Sequence, residues 1–423
     1  MAKTLLGPVG PAVFLTDLFS VAVAAVLPGA SLISALPKVP RGRTIVLGAG
    51  KASGAMAEAV EAHWLGGLEG LVIVPPGYER PCRSIEIAEA SHPVPDMRGV
   101  MAAQRIMDLA RAAGPDDLLL CLISGGASSL MAAPAPGIEL AEKRLITQAL
   151  LRSGAAIDEI NCVRKHLSAI KGGRLAALAA PAAVVTLIVS DVIGDDPAVI
   201  ASGPTVADPT TCADALAVLK RYHVEVPGHI AQALARGELE TPKQLPSSTL
   251  HIIARPRDAL AAVTAHASAR GFAVHDLGDA RAGEARDEAK SQAALVRSIL
   301  AGEGPVKPPC VILSGGELTV TVDGKGRGGP NTEFALAFAA ACEDLNDVWL
   351  LSVDTDGQDG ASGAAGALVQ PGLIRRARER GLNPEKALAD NDSATFLKAC
   401  DALAPSGPTF TNVNDLRAIV IYK

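Results

Sequence analysis

Three glycine-bearing segments set charges and hydroxyls where an apolar run hands over to a helical one. Gly48-Ala49-Gly50-Lys51-Ala52 closes the run TIVLG and opens ASGAMAEAV. Glycines there let the backbone approach a ligand, a helix start offers N–H groups to an anion, and Lys51 adds a full positive charge. The spacing is not that of a Walker A loop, because Ala52 stands where Ser or Thr is required. Ser124-Gly125-Gly126-Ala127-Ser128-Ser129 follows another apolar run and supplies hydroxyls and amides without charge, a cradle for phosphate or carboxylate. Gly324-Lys325-Gly326-Arg327-Gly328-Gly329 precedes Pro330, Asn331, Thr332 and Glu333. Such a loop is mobile or close-fitting and can wrap an anion, with Arg327 able to make bidentate contacts to phosphate. Each segment also has a plainer reading, as a strand-to-helix turn or a solvated hairpin tip.

Two acidic loops accompany them, Asp191, Asp195 and Asp196 in SDVIGDD and Asp354, Asp356 and Asp359 in SVDTDGQDG. Asp191, Asp354 and Asp356 are candidate Mg²⁺ ligands, since that ion takes one or two carboxylates plus phosphate oxygens and waters. The same residues suit N-caps and turns. Arg164, Lys165, Lys171 and Arg174 read as a basic helix ending at Gly172-Gly173, and Lys171 or Arg174 can pair with the carboxylate of a small acid. His92 in SHPVPD is a candidate for substrate contact or turn rigidity. A serine hydrolase is set aside because no GxSxG is present.

The elements that must hold these residues are short β-branched runs (TIVLG, LVIV, LLLCLIS, VVTLIVSD) alternating with Ala-rich stretches of helical periodicity, the pattern of βαβ units and a parallel sheet. A chain of 423 residues predicts two domains. The stretch GELETPKQLPSSTL, with Pro242 and Pro246, reads as a connection, which divides the chain into a larger, Rossmann-like domain over 1–245 and a smaller α/β domain over 246–423 that opens with HIIA. The halves echo each other: LISGG and LSGG each end a strand, and each half has an acidic loop after an apolar strand. Loops at strand C-termini line ligand crevices, so an active site in the cleft between the domains is expected.

The net charge of −6 offers no long-range attraction to phosphate backbones or acidic membranes, and no local basic patch suggests nucleic acid. With 2 Trp, 3 Tyr and 7 Phe, the core must be packed with aliphatic residues, as in helix-covered parallel sheets. Seven scattered cysteines lack any metal spacing, which points to a reducing, cytoplasmic setting. The uncharged stretch Leu18 to Pro37 is interrupted by Pro28-Gly29 and reads as two short buried helices rather than a membrane span, while Pro8, Pro11 and Asp17 fit no signal peptide.

Taken together, GAGKAS (48–53), SHPVPD (91–96), LISGGASSL (122–130), INCVRKHLSAIKGGRLA (160–176), SDVIGDDPAVIASGPTVADPTT (190–211), LSGGELTVTVDGKGRGGPNTE (313–333), SVDTDGQDG (352–360) and GPTFTNVNDL (407–416) resemble the type II glycerate kinases, whose C-terminal half is the MOFRL domain and whose members often carry the name hydroxypyruvate reductase. The resemblance spans nearly the whole chain. It implies ATP- and Mg²⁺-dependent phosphorylation of D-glycerate at the 2-hydroxyl, with Lys51 and Arg327 at the positions of the family's catalytic cations. Asp191 joins them as a catalytic candidate. Candidate nucleotide and substrate contacts in the matching segments are Gly48, Gly50, Ser124, Gly125, Gly126, Ser128, Lys171, Arg174, Ser314, Gly315, Gly316, Glu317, Asn331, Glu333, Asn414 and Asp415. Ala127 stands where many members have a third glycine, and IIARPRDAL (252–260) lacks an Asn found in some. The competing readings are an NAD(P)H-dependent hydroxypyruvate reductase, which must do without GxGxxG after the first strand, and a small-molecule sensor. The expected partner is a small substrate, with no nucleic acid and no membrane, and a homo-oligomer is compatible with the sequence.

Overall fold

The computed structural model describes residues 10–246 and 248–422. Residues 1–9, including Pro8, and Ser247 of the expected connection lie outside them. Two compact units result, one over Pro28–Ala254, the other joining 255–422 to the helix Pro11–Val26.

In the first unit six strands, β1 (Thr44–Ala49), β2 (Leu68–Val74), β3 (Ile85–Glu89), β4 (Leu118–Ile123), β5 (Ala183–Val189) and β6 (Ser248–Ala254), form one parallel sheet in the order β3-β2-β1-β4-β5-β6. This is the Rossmann-like α/β class that the sequence predicts. Central β1 and β4 are buried along their whole length, which is why they read as unbroken apolar runs rather than alternating ones. Ile45, Leu47, Leu119 and Cys121 pack on Ala103, Ile106 and Met107 of the helix Met97–Arg111, which Asp96 caps through Gly99 N (3.0 Å). A second, all-helical cluster gathers the helices Leu140–Arg152, Ile157–His166, Cys212–Arg221 and Gly228–Ala235 around Ile146, Leu150, Val163 and Leu219.

The second unit carries β7 (Ala273–Asp276), β8 (Gly283–Glu284), β9 (Cys310–Ser314), β10 (Leu318–Thr319), β11 (Val348–Asp354), β12 (Gly366–Val369), β13 (Leu403–Ala404) and β14 (Asp415–Ile421). Its mixed sheet runs β13-β12-β11-β14-β9-β7, parallel only at β7–β9, and β8 pairs separately with β10. The helices Ala285–Leu300 and Pro330–Ala341 cover it, with Phe334 stacked on Phe338.

Two boundaries differ from the sequence reading. The division falls after Ala254 rather than at 245, because HIIA lies in β6, which extends the first sheet by pairing with β5 instead of opening the second. The helix Pro11–Val26 belongs with the C-terminal unit: Phe14 stacks on Phe272 (4.9 Å), Asp17 pairs with Arg270 (2.9 Å), and Thr411 Oγ1 donates to Val26 O (2.9 Å). Residues 11–34 are long and apolar enough by composition to cross a membrane. The helix nevertheless stops at Val26, where Leu27 turns extended, and Ala30–Ser34 is a separate short helix. Both helices exist as expected, but the first buries one face only (Phe14, Leu15, Leu18, Ala22, Val26) and the second only Leu32.

Candidate active site

In the parallel sheet the strand order reverses between β1 and β4, so the loops that follow them flank the crevice that such sheets use for ligands. Gly48–Lys51 follows β1 and Ser124–Gly126 follows β4, as the motifs require. The two loops are tied to each other. Gly50 (φ +137°) lies so close to Ser124 that a Cβ would sit 2.1 Å from its Oγ. Lys51 N donates to Gly125 O (2.9 Å), Ala52 N to Ser124 Oγ (2.9 Å), Gly50 N to Ile73 O (3.0 Å) and Ser53 N to Gly50 O (3.2 Å). The amides of residues 50–53 are thus all taken by the protein itself. Ser124, fully buried, is the tie between the loops and also bonds Ser53 Oγ (3.1 Å), so it is not a ligand contact. The half-buried Lys51 side chain supplies this corner's charge. A Cβ on Gly126 would lie 3.1 Å from His92 Nε2 and 3.6 Å from Lys51 Cγ, which places His92 beside the lysine.

Beside this junction a cavity of about 230 Å³ is lined by Pro93, Pro95, Ser128, Leu140, Lys143, Arg164 and Lys171, with the exposed Arg144 at its edge. Ser128 Oγ bonds Ser202 Oγ (3.0 Å), which reaches Asn161 Oδ1 (3.2 Å). Lys171 is buried and donates to Ala201 O (3.3 Å). Lys143 is buried too, and its Nζ has no hydrogen-bond partner. Burial, then Arg164 and Arg174, push its ammonium down to about 7, and burial together with Lys143 and Arg164 pushes Lys171 well down.

The basic stretch is not one helix: Ile157–His166 ends at Leu167, and Arg174 starts a new helix after Gly172 and Gly173, both at positive φ. Arg174 is corrected to a structural residue, because its guanidinium donates to the carbonyls of Lys165, Leu239 and Glu240. Lys165 is consumed by buried Asp208 (3.4 Å).

In the C-terminal unit β9 and β11 run the same way and β14 against them, so Ser314–Glu317, Asp354–Gly360 and Asn414 gather at one end of these strands. The helix Pro330–Ala341 starts there. Asn331 donates to Asp415 (2.6 Å) and accepts from Ser352 (2.7 Å), while Asp359 accepts from Asn331 N, Thr332 N and Thr332 Oγ1 (2.9, 2.9 and 2.8 Å). Burial pushes Asp359 up to about 6 against these donors. Arg417, wholly buried, pairs with Asp415 (2.8 Å) and donates to Gly315 O (2.7 Å) and Ser314 Oγ (3.3 Å). Ser314, Asn331 and Asp415 thus belong to an internal network, and Glu333 to an ion pair with Arg286. Glu317 is exposed, Gly316 sits at φ +98° against Arg281 O, and Asn414 is buried with its Nδ2 unpartnered.

The glycine loop is close-fitting. Gly326 N donates to Asp390 O (2.8 Å), Lys325 N to Asp390 Oδ1 (3.1 Å), Arg327 N to Asp392 Oδ1 (3.0 Å), and Gly324 N to Asn391 Oδ1 (2.9 Å). Cβ atoms on Gly324, Gly326 and Gly328 would meet Asp390, Asp392 and Ser393 within 2.4 Å, which explains the glycines. The exposed Arg327 side chain projects from this clamped backbone.

Asp354 Oδ1 accepts from Asp356 N (2.9 Å) and Asp356 Oδ1 from Gln358 N (2.7 Å), so both serve turns. Within either unit, among the described residues, the one trio of metal-competent side chains within 4.8 Å is His166, Cys212 and Glu240. Its atoms are spent on the protein: Glu240 accepts from Cys212 N (3.0 Å) and pairs with Lys243 (2.6 Å), and burial pushes the Cys212 thiol up to about 11.

Lys143 is not among the residues that the sequence analysis singles out. The signal was there, a lysine in register with the buried Ile146 and Leu150 on an otherwise apolar stripe.

Comparison with known proteins adds to this geometry. A domain family of unknown function, DUF4147, matches residues 14–235, and the MOFRL family matches residues 310–415. The chain is 49% identical to a provisionally named hydroxypyruvate reductase of Agrobacterium vitis, over 96% of this chain and 94% of that one. It is 39% identical to the D-glycerate 2-kinase of Thermotoga maritima, over 93% and 94%. A crystal structure of a glycerate kinase from Thermotoga maritima superposes with a TM-score of 0.87 at 38% identity, covering 97% of this chain and 99% of the other.

Proposed function

Because the chain belongs to the glycerate kinase family built from DUF4147 and MOFRL regions, we propose that it transfers the terminal phosphoryl group of ATP to the 2-hydroxyl of D-glycerate, giving 2-phosphoglycerate and ADP. One observation carries this reading over the reductase. A dinucleotide enzyme with this strand order seats its pyrophosphate on open amides after the first strand. Here the amides of residues 50–53 are all satisfied internally, and what the corner presents instead is charge, in Lys51 and the cations beside it.

Phosphoryl transfer asks for positioning and charge neutralisation rather than covalent chemistry. Lys51 is assigned to the transferring group or the attacking hydroxyl, and Arg327 to phosphate, where its planar fork suits bidentate contact. Lys171 stays a candidate for the carboxylate, which sets the adjacent 2-hydroxyl, not the 3-hydroxyl, nearest the donor. Asp191 in one unit and Asp354 and Asp356 in the other stay separate candidates to donate oxygen to Mg²⁺, which takes one or two carboxylates with phosphate oxygens and waters. When bound, the ion neutralises phosphate charge. Seven cysteines, none in a disulfide, favour a cytoplasmic setting.

A coupled ADP-release assay with D-glycerate, with and without Mg²⁺, tests the reading. Adding enolase alone should give phosphoenolpyruvate. A requirement for phosphoglycerate mutase would overturn the regiochemistry. NADH oxidation by hydroxypyruvate, without ATP consumption on glycerate, would overturn the kinase.

A further inference from the structure

The cavity beside Gly126 has walls of one sign. Lys143 comes from the helix Leu140–Arg152, Arg164 from Ile157–His166, and Lys171 from the turn before Arg174–Ala179, so three separate elements converge their cations on one space, and no carboxylate is among the residues that line it. Buried cations elsewhere in the chain are answered by acids, Lys165 by Asp208 and Arg417 by Asp415. Lys143 is answered by nothing, and Lys171 by a single carbonyl. A buried polar head without a partner costs stability, and like charges gathered in a poorly solvated space cost more. An arrangement that carries this cost when empty is offset when an anion enters.

We infer that this cavity is an oxyanion subsite, in which Lys143, Arg164 and Lys171 receive a carboxylate or phosphate group of a substrate. The identity of the ligand rests on the kinase reading; the existence of the site does not. Size narrows the occupant, since about 230 Å³ holds a three-carbon acid whole but only the phosphate end of a nucleotide. Position fits as well, because the wall residue Ser128 is two residues from Gly126, which packs beside Lys51 and His92, so an acid anchored on the cations lies next to the proposed catalytic lysine.

The test is binding without turnover. Sulfate, D-glycerate and ADP are each titrated into the wild type, Lys143→Met and Arg144→Glu, with affinity read by calorimetry and folding by thermal melting. Lys143→Met removes a buried, unpaired charge at similar volume, and Arg144→Glu changes an exposed side chain at the rim, so at least one folded variant is assured. Sulfate affinity should fall by about tenfold or more in both, the loss of a charge-assisted hydrogen bond or its opposition by a like charge. A matching loss for D-glycerate alone identifies the substrate carboxylate, and one for ADP alone identifies phosphate. Either supports the subsite. Unchanged affinity for all three ligands in the folded variants overturns it, even if the enzyme is an active kinase, whereas altered sulfate binding in a protein that does not phosphorylate glycerate would overturn only the kinase.

Discussion

Arg417 and Lys143 are both buried cations, one in each unit, and their surroundings are opposite. Arg417 lies in β14 with Asp415, Ser314 and Gly315 already placed on its guanidinium and the Phe334 ring 5.6 Å away. Lys143 lies on a helix face with no acceptor and two arginines and a lysine around it. The first arrangement is finished and ties β14 to the end of β9. The second lacks its counter-charge, and that incompleteness marks a place for a ligand. The same contrast separates the loops: the glycine loop has its backbone clamped and an exposed Arg327, while the β1 loop has its amides satisfied and a charged Lys51. In both, the backbone is tied down by the protein's own groups and the loop carries a cation.

The largest effect should come from breaking the finished member. Arg417→Leu leaves Asp415 buried without its ion pair, a loss of about 3–5 kcal/mol for a broken buried pair. Chemical denaturation should show it directly, and the helix start at Asn331 should loosen with it, since Asn331 shares Asp415. Lys143→Met should do the reverse, leaving the melting temperature unchanged or higher. If both variants lost stability alike, the distinction between paired and unpaired cations would fail.

Lys51 ranks next. Its backbone bonds do not depend on its side chain, so Lys51→Ala should fold as the wild type does while kcat falls by about two to three orders of magnitude, as for loss of a charge acting chiefly in the transition state. More than about half the wild-type rate in the folded variant would remove Lys51 from catalysis.

How much of this was legible follows from where the interactions run. β1, β4 and β5 announce themselves because parallel strands buried along all or nearly all of their length read as near-continuous apolar runs. Gly48–Lys51 and Ser124–Gly126 were placed correctly at strand ends, but that Ser124 would consume the amide of Ala52 is a bond across 72 residues, invisible to local pattern. The glycines at 324, 326 and 328 read as either mobile or close-fitting because what decides between the two, the segment 390–393, lies over sixty residues away. Lys143 is a single charge on an apolar stripe, and Arg417 stands two residues from its partner Asp415 in the apolar strand β14. The pairing of Arg417 is thus local, on one face of a strand, whereas the lack of an acceptor for Lys143 is a tertiary fact.

The smallest effect is also the finest probe of the unfinished member, because Lys143 should titrate with its ligand. In the empty protein its ammonium is pushed down to about 7 by burial, Arg164 and Arg174, and Lys171 is pushed down by burial, Lys143 and Arg164; Arg144 at the edge adds charge of the same sign. An oxyanion stabilises the charged form, so the bound complex has the higher pKa and binding takes up a proton above about pH 7. The part of the affinity that runs through Lys143 should therefore be flat below about pH 7 and weaken as pH rises beyond it, by at most about tenfold per pH unit for one proton taken up. The sign is opposite to that of an acid pairing with a base already charged, which would weaken as pH falls. Lys143→Met should shrink the slope, and Lys143→Met with Lys171→Met should remove it, since the arginines stay charged throughout. The measurement is the dissociation constant for D-glycerate between pH 6 and 9, repeated in buffers of different ionisation enthalpy to count protons. A constant that does not change across that range in the wild type, with no proton taken up, would mean that Lys143 is charged before the ligand arrives, and the cavity would then owe its cations to some other purpose.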